Sequence, residues 1–398
     1  MGLRTLETAD LEGKRVLVRV DFNVPMAAGA VTDDSRIRAA LPTIRLLRAA
    51  GARVVLMSHL DRPDGRRVPS MSLRPLVAPL ERLLQAPVAF ADDCVGQGAA
   101  AAANALKPGE VLLLENLRFH PGEEANDPRF AAALAVNGDL YVDDAFSVAH
   151  RAHASTQAIA RILPAYAGEA MRAELAALQT ALGEPRRPIL GIVGGAKVST
   201  KLSLLRHLIE RFDALAIGGG MANTFLLAQG HDVAKSFCER DLAPQARELL
   251  DFAARNACDI LLPVDVVVAD RIEPGVAAHI RGLGELGGAD RILDAGPRTV
   301  ARLTEAMDRA ATLVWNGPLG VFETPPFDEG TTRAARHAAA LARSGKLVAV
   351  AGGGDTVAAL HLAGVAQDFT FVSNAGGAFL EWIEGKTLPG VAAVQTSG

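Results

Sequence analysis

Lysine is scarce in this 398-residue chain: it supplies seven of the 41 basic residues, and arginine supplies the rest. Cysteine is scarcer still. Cys94, Cys238 and Cys258 lie far apart, form no CxxC and make an odd total, which argues against a disulfide framework and fits a reducing compartment. No run of about 18 uncharged apolar residues occurs, so no membrane span is expected. The first residues include early acidic groups and no long apolar core, unlike a signal peptide, and Leu6 stands where a myristoylation signal needs Ser or Thr. Neither charge sign dominates. The net charge is −4 and the isoelectric point about 6.2, against nucleic-acid or membrane-surface binding driven by bulk charge. GxxxxGK[ST] is also missing, so any phosphate grip is not a Walker A loop.

What is present is an ordinary globular balance, 49% hydrophobic and 22% charged, in a chain long enough for two or three domains. Short apolar runs rich in Val, Ile and Leu, such as 15–20, 53–58, 111–116, 139–144, 188–193, 214–219, 259–270, 312–317, 347–352 and 369–373, read as strands. Amphipathic stretches at 36–51, 73–85 and 332–345 read as helices between them. Fully apolar short strands alternating with helices imply parallel sheets covered on both faces. The fold class expected is α/β, with two doubly wound, Rossmann-like domains joined by a hinge helix. That helix is read over 171–186, ended by Gly183 and Pro185, between domains at 1–170 and 187–380. The stretch after 388 has no periodicity and must dangle or pack back on another domain. The Ala-rich patch at 99–105 reads as a small-residue helix.

Ligands of open parallel sheets bind beyond the carboxyl ends of the strands. In the second block those ends carry glycine clusters: VGGAK, IGGGMANTF, WNGPLGVFE, AGGGDT and SNAGGA. Glycine allows close backbone approach, and a following helix start offers free N–H groups to phosphate. Five clusters together favour a nucleotide-sized pocket. Asp355 in AGGGDT suits Mg²⁺ beside phosphates, or equally a helix N-cap. Lys197 and Lys201 stand four apart at an apparent helix start, where like charges cost about 0.2–0.5 kcal/mol unless they face water or share an anion. GLGELG (282–287) satisfies G-x-G-x-x-G, but no helix pattern follows and it reads as a loop, which removes the main support for a nicotinamide dehydrogenase. His150 and His153 have metal-ligand spacing but no evident third ligand, so a polar or substrate-lining role fits them better.

In the first block, RVDFNVP places Asp21 and Asn23 after a strand, and DDSRIRAA puts Arg36 at a helix start. SHLDRP offers His59 and Arg62, ENLRFH offers Arg118, and DAFSVAHRAHAS offers Arg151. Four arginines just past strands, with Asp, Asn or His nearby, form a pocket for a polyanion, since the guanidinium fork pairs bidentately with carboxylate or phosphate. A nucleotide pocket and a polyanion pocket fit phosphoryl transfer, which needs positioning and charge neutralisation above all. A non-catalytic nucleotide-binding protein is the rival, disfavoured because Lys197, Lys201, Arg36 and Asp355 are all in place.

In the order RVDFNVP, SHLDRP, ENLRFHPGEE, DAFSVAHRAHAS, GGAKVSTKL, GGGMANTF, WNGPLGVFE, GGGDT and GKTLPG, from residue 19 to 390, the chain closely resembles phosphoglycerate kinase. The resemblance implies a monomeric, cytoplasmic glycolytic enzyme of two domains that close about a hinge. Its reaction would be 1,3-bisphosphoglycerate + ADP ⇌ 3-phosphoglycerate + ATP, with Mg²⁺. It implies a glycerate site of Asp21, Asn23, Arg36, His59, Arg62, Arg118 and Arg151 in the amino-terminal domain. Arg36, Lys197 and Lys201 would surround the transferred group. Gly195, Ala196, Gly219, Asn316, Pro318 and Glu323 would hold adenosine, with Glu323 on the ribose. Thr356 and the run Gly352, Gly353 and Gly354 would line the nucleotide phosphates, and Asp355 would hold the metal. The tail, 381–398, would return to the amino-terminal domain. Two motifs depart from the family's form. Asp61 replaces the glycine of SHLGRP, and Asn374 and Ala375 replace Thr and Gly of STGGGA. Ala375 costs free energy if it must take a positive φ.

Overall fold

A computed structural model describes residues 2–183, 185–373 and 375–396. The chain divides into two compact units, Met1–Leu175 with Thr387–Gly398, and Ala176–Lys386. The division falls inside the helix Glu169–Leu182. Asn374 lies outside the described residues.

The first unit is built on six parallel strands, β1 (Arg15–Arg19), β2 (Arg53–Met57), β3 (Val88–Ala91), β4 (Val111–Leu114), β5 (Leu140–Asp143) and β6 (Ala165–Ala167), in the order β3-β4-β2-β1-β5-β6. Val16, Leu17 and Val18 are consecutive yet all fully buried. Both faces of the central strand are therefore covered, which is why these strands read as unbroken apolar runs. One face packs Val16, Val18, Val54 and Leu56 against Ile37, Ile44 and Leu47 of the helix Ser35–Ala49 and Leu80 of Val77–Leu84. The Ala-rich patch forms the helix Gly96–Ala105. The last residues complete this unit: Arg4 N–H donates to the Val394 carbonyl (2.9 Å), Gly390 N–H to Ala149 (2.8 Å) and Thr396 N–H to Gly2 (3.0 Å).

The second unit repeats the plan with β7 (Ile189–Val193), β8 (Ala214–Ile217), β9 (Asp259–Leu261), β13 (Thr312–Asn316), β14 (Val348–Gly352) and β15 (Phe371–Ser373), in the order β9-β8-β7-β13-β14-β15, all parallel. Its core sets Leu190, Ile192, Leu313, Trp315 and Ala349 against the helices Pro297–Arg309 and Glu329–Arg343. The single strand expected over 259–270 is two. It breaks at Leu262–Val264, and its second half, β10 (Asp265–Ala269), is the middle of a separate antiparallel sheet with β11 (His279–Gly282) and β12 (Arg291–Ala295). Pro263 accounts for the break, because proline cannot donate to a ladder and is excluded from central strand positions. GLGELG starts on the last residue of β11 and runs into the loop after it, which leads to β12 and not directly to a helix. The reading of that match as a loop holds.

Candidate functional site

In the first unit, the residues after the strand ends converge. Asp21, past β1, accepts a hydrogen bond from Arg36 Nη1 on Oδ2 (2.5 Å) and another from Ser147 Oγ (2.5 Å). Asn23 Oδ1 accepts the N–H of Asp61 (2.9 Å), which ties the loop after β1 to the loop after β2. Arg118 is buried, donates from Nη1 to the Asp61 carbonyl (2.8 Å) and pairs with Glu124 Oε1 through Nε (3.1 Å). Arg151 is half-buried and Arg62 exposed.

His59 sits at the centre and is 4% exposed. Burial and the charges of Arg19, Arg118, Arg36 and Arg151 hold its pKa well below the usual imidazole range. Its Nδ1 faces Arg19 Nη2 at 3.1 Å. A guanidinium only donates, so Nδ1 must accept, and the ring proton resides on Nε2. His59 is thus a neutral imidazole with its remaining N–H directed away from Arg19.

Arg19 was not among the residues expected at the site. It lies inside β1, where its position in RVLVRV signals only a strand, and it is 1% exposed. Its Nε donates to Ser155 Oγ (2.9 Å), which donates to Glu123 Oε1 (2.6 Å), while Ser155 N–H donates to Glu123 Oε2 (3.0 Å). A buried guanidinium is thereby tied through one hydroxyl to a buried carboxylate. Burial raises Glu123, and the charge of Arg19 opposes that rise. His153 lies 3.8 Å from Glu123, and burial followed by the arginine charges brings it down to about 3. His153 belongs to this buried network.

The second unit holds two adjoining clefts at the carboxyl ends of its strands. One, of about 280 Å³, is lined by Gly195, Ala196, Gly219, Pro318, Glu323 and Asp355 together with apolar Phe237, Ile272, Leu293 and Phe322. The other, of about 410 Å³, is lined by Gly195, Lys197, Lys201, Asn316, Gly353, Gly354, Asp355 and Thr356. The apolar wall was not foreseen, because its residues come from β12 and from loops around the antiparallel sheet, far apart in sequence.

Backbone contact shapes these clefts. A Cβ on Gly194 would stand 1.9 Å from the Pro318 carbonyl oxygen. Gly353 takes φ +99°, and a Cβ there would meet Asn316 Nδ2 at 2.5 Å. Neither position admits a side chain without moving its neighbour. Asn316 Nδ2 donates to the Gly352 carbonyl (2.7 Å), and Thr356 Oγ1 accepts the N–H of Gly317 (2.7 Å). Gly352 itself lies in β14 and packs on Phe379; it supports the clefts without lining either.

The helix expected to carry both lysines begins only at Leu202. Lys197 and Lys201 therefore occupy the turn before it, and the i, i+4 argument does not apply, because those residues lack helical spacing. They still line the same cleft. Lys201 Nζ donates to the Gly194 carbonyl (2.7 Å) and to Asn316 Oδ1 (2.6 Å), and burial brings its pKa down to about 8, with Asp355 acting in the opposite sense. Asp355 is exposed in the first turn of the helix Gly354–Leu362, whose N-cap is Gly353, so the capping alternative does not apply. Ala375 takes φ −97°, and the expected strain at this position is absent. Asp61, by contrast, adopts φ +53° with its side chain exposed.

The family model described as phosphoglycerate kinase matches residues 6–386. The chain is similar to the phosphoglycerate kinase of Caulobacter vibrioides (strain NA1000 / CB15N), 64% identical over 396 residues and 100% of both chains. It is also similar to that of Caulobacter sp. (strain K31), 66% identical over 395 residues, 99% of this chain and 100% of the relative. Among solved structures, phosphoglycerate kinase from Coxiella burnetii matches with TM-score 0.90 and 40% identity over 98% of each chain. That from Pyrococcus horikoshii OT3 matches with TM-score 0.85 and 32% identity over 99% of this chain and 98% of that one.

Proposed function

Since the chain belongs to the phosphoglycerate kinase family, we propose that the arginine pocket of the first unit binds 3-phosphoglycerate or 1,3-bisphosphoglycerate, and that the glycine-built clefts of the second bind ADP or ATP. Family membership makes the chain a phosphotransferase of glycolysis that exchanges a phosphoryl group between 1,3-bisphosphoglycerate and ADP. The observation that carries the assignment of substrates is the contrast in lining. Arginines converge on the neutral His59 in one unit, while a cleft with an apolar wall adjoins a lysine-bearing, glycine-lined one in the other.

In this reading Arg36, Arg62, Arg118 and Arg151 hold the acid and its phosphate, and His59 donates from Nε2. Asp21 orients Arg36, and Asn23 holds the Asp61 loop in place. Gly195, Ala196, Gly219, Pro318 and Glu323 hold the adenosine, while Asn316, Gly353, Gly354 and Thr356 shape the phosphate cleft. Arg36, Lys197 and Lys201 neutralise the group in transfer. The leaving group of the acyl phosphate is already a carboxylate, so no side chain need act as general base. Alignment, water exclusion and charge do the work.

The exposed carboxylate of Asp355 lines both clefts, an oxygen donor that fits Mg²⁺, which favours one or two carboxylates together with phosphate oxygens and water. Bound there, Mg²⁺ would offset charge on the nucleotide phosphates. Closure about a hinge, a monomeric state and a cytoplasmic location belong to the same proposal. Direct transfer between substrates held by different units requires them to meet, and a glycolytic role implies the compartment.

Steady-state kinetics of single variants test the division of substrates. Arg118→Ala should raise KM for 3-phosphoglycerate and leave KM for ATP within about twofold, and Glu323→Ala the reverse, because each removes binding contacts to one substrate only. Equal changes in both KM values for either variant would reject it.

A further inference from the structure

Outside the clefts, a turn after β3 and a turn after β4 bring Asp93, Cys94 and His120 together, with one donor atom from each within 4.8 Å of the others. His120 Nε2 lies 2.7 Å from Asp93 Oδ1, and its ring stacks on Phe130 with centroids 5.1 Å apart. Asp93 Oδ1 also accepts the N–H of Cys94 (2.7 Å), and Asn137 Nδ2 donates to the Cys94 carbonyl (2.9 Å). The main chain at Cys94 is thus held from two directions. The cysteine is fully buried, whereas the side chains of Asp93 and His120 keep 44% and 29% exposure, so two of the three donor residues face solvent.

We propose that Asp93, Cys94 and His120 form a site for a divalent transition ion, of which Zn²⁺ suits the donors best. A sulfur, an imidazole nitrogen and a carboxylate oxygen match a borderline-soft ion that accepts three protein ligands and a water. Hard ions such as Mg²⁺ and Ca²⁺ prefer all-oxygen shells and are disfavoured by the thiol. Binding replaces the Asp93–His120 hydrogen bond and displaces the Cys94 proton. Because a thiol must lose its proton to ligate the ion, affinity should increase with pH and each ion bound should release a proton. The ion would join the two turns, and His120 follows Arg118 by two residues. No step of the phosphoryl transfer uses these groups.

The test is anaerobic titration of the chelator-stripped full-length protein with Co²⁺, followed by competition with Zn²⁺. The expected signature is a sulfur-to-cobalt charge-transfer band with the intense visible bands of a four-coordinate ion, both displaced by Zn²⁺. Cys94→Ser should abolish the charge-transfer band, and His120→Gln should weaken Zn²⁺ binding by about tenfold or more, a loss that outer-shell changes alone already reach. Cys238→Ser should leave the spectrum unchanged. If Cys94→Ser does not fold, His120→Gln and Asp93→Asn carry the decision. Absence of the charge-transfer band in the parent protein, its survival in a folded Cys94→Ser, or unchanged Zn²⁺ affinity in His120→Gln would overturn the proposal.

Discussion

The two units share a sheet of six parallel strands, yet their pockets are made of different material. The first is made of side chains: the Arg36–Asp21 pair, the buried Arg118, and His59 kept neutral against Arg19. In the second, backbone makes much of the lining, with Gly194 and Gly353 placed where a Cβ would collide, and the part-buried Lys201 joins Lys197 beside it. On the proposed assignment of substrates, one topology offers charge to a small polyanion and close approach to a larger nucleotide. The first kind of site should fail when a charge is removed, and the second when an atom is added.

The largest expected effects come from the charges proposed to surround the transferred group. Arg36→Ala or Lys201→Ala should lower kcat by about 10²–10³, the scale for losing one preorganised transition-state donor. A loss below about threefold in steady-state assays would remove that residue from the catalytic set. Next comes an added atom. Gly194→Ala puts a methyl 1.9 Å from the Pro318 oxygen and should cost about 1–3 kcal/mol in urea unfolding while weakening nucleotide binding. Gly354→Ala, with nothing within 4 Å, should be neutral or stabilising, by up to about 1 kcal/mol from helix propensity. Equal destabilisation by both would refute the claim that close approach shapes the clefts.

Lys201 gives a test in which activity and stability move oppositely. Its folded pKa is about 8 against an ordinary 10.5. Above pH 8 the free enzyme loses the ammonium group, and kcat/KM for nucleotide should fall toward tenfold per pH unit. Between pH 8 and 10.5 the unfolded chain holds more protons at this site than the folded one, so this group's contribution to stability rises with pH. Lys201→Met should abolish that rise in urea melts across the window. An identical slope in the variant would assign it to other groups. Nucleotide binding near pH 8 should also take up protons, which calorimetry in two buffers would detect.

Much of this was legible in the sequence because each strand end carries its own short motif. RVDFNVP, SHLDRP and AGGGDT each placed candidate site residues at a strand terminus, and two buried parallel sheets followed from unbroken apolar runs. What stayed hidden is set by tertiary packing. Arg19 looks like any strand residue until its side chain is seen between His59 and Ser155. The wall formed by Phe237, Ile272, Leu293 and Phe322 is assembled around an antiparallel sheet whose β10 was masked by continuity with β9. The lysine pair read as helical because its spacing matched a helix turn, although the helix starts after both.

The smallest effect concerns Asp61, one of the two positions where the chain departs from a glycine. Asp61 holds φ +53°, a region that costs an L-residue roughly 1 kcal/mol, though aspartate is among the residues that tolerate it. Its N–H is taken by Asn23 Oδ1 and its carbonyl by Arg118, so the backbone of the pocket is fixed whatever the side chain does. The carboxylate itself is exposed. Asp61→Gly should relieve the strain and add unfolded-chain entropy of similar size, for a net change within about 1 kcal/mol in urea melts. Because the hydrogen bonds at Asp61 involve only its main chain, KM for 3-phosphoglycerate should stay within about twofold, and its modest dependence on salt would report any field from the exposed carboxylate. A tenfold fall in KM would mean instead that this carboxylate opposes the arginines, so that the side-chain pocket is tuned by a negative group at its rim while the glycine-built clefts are not.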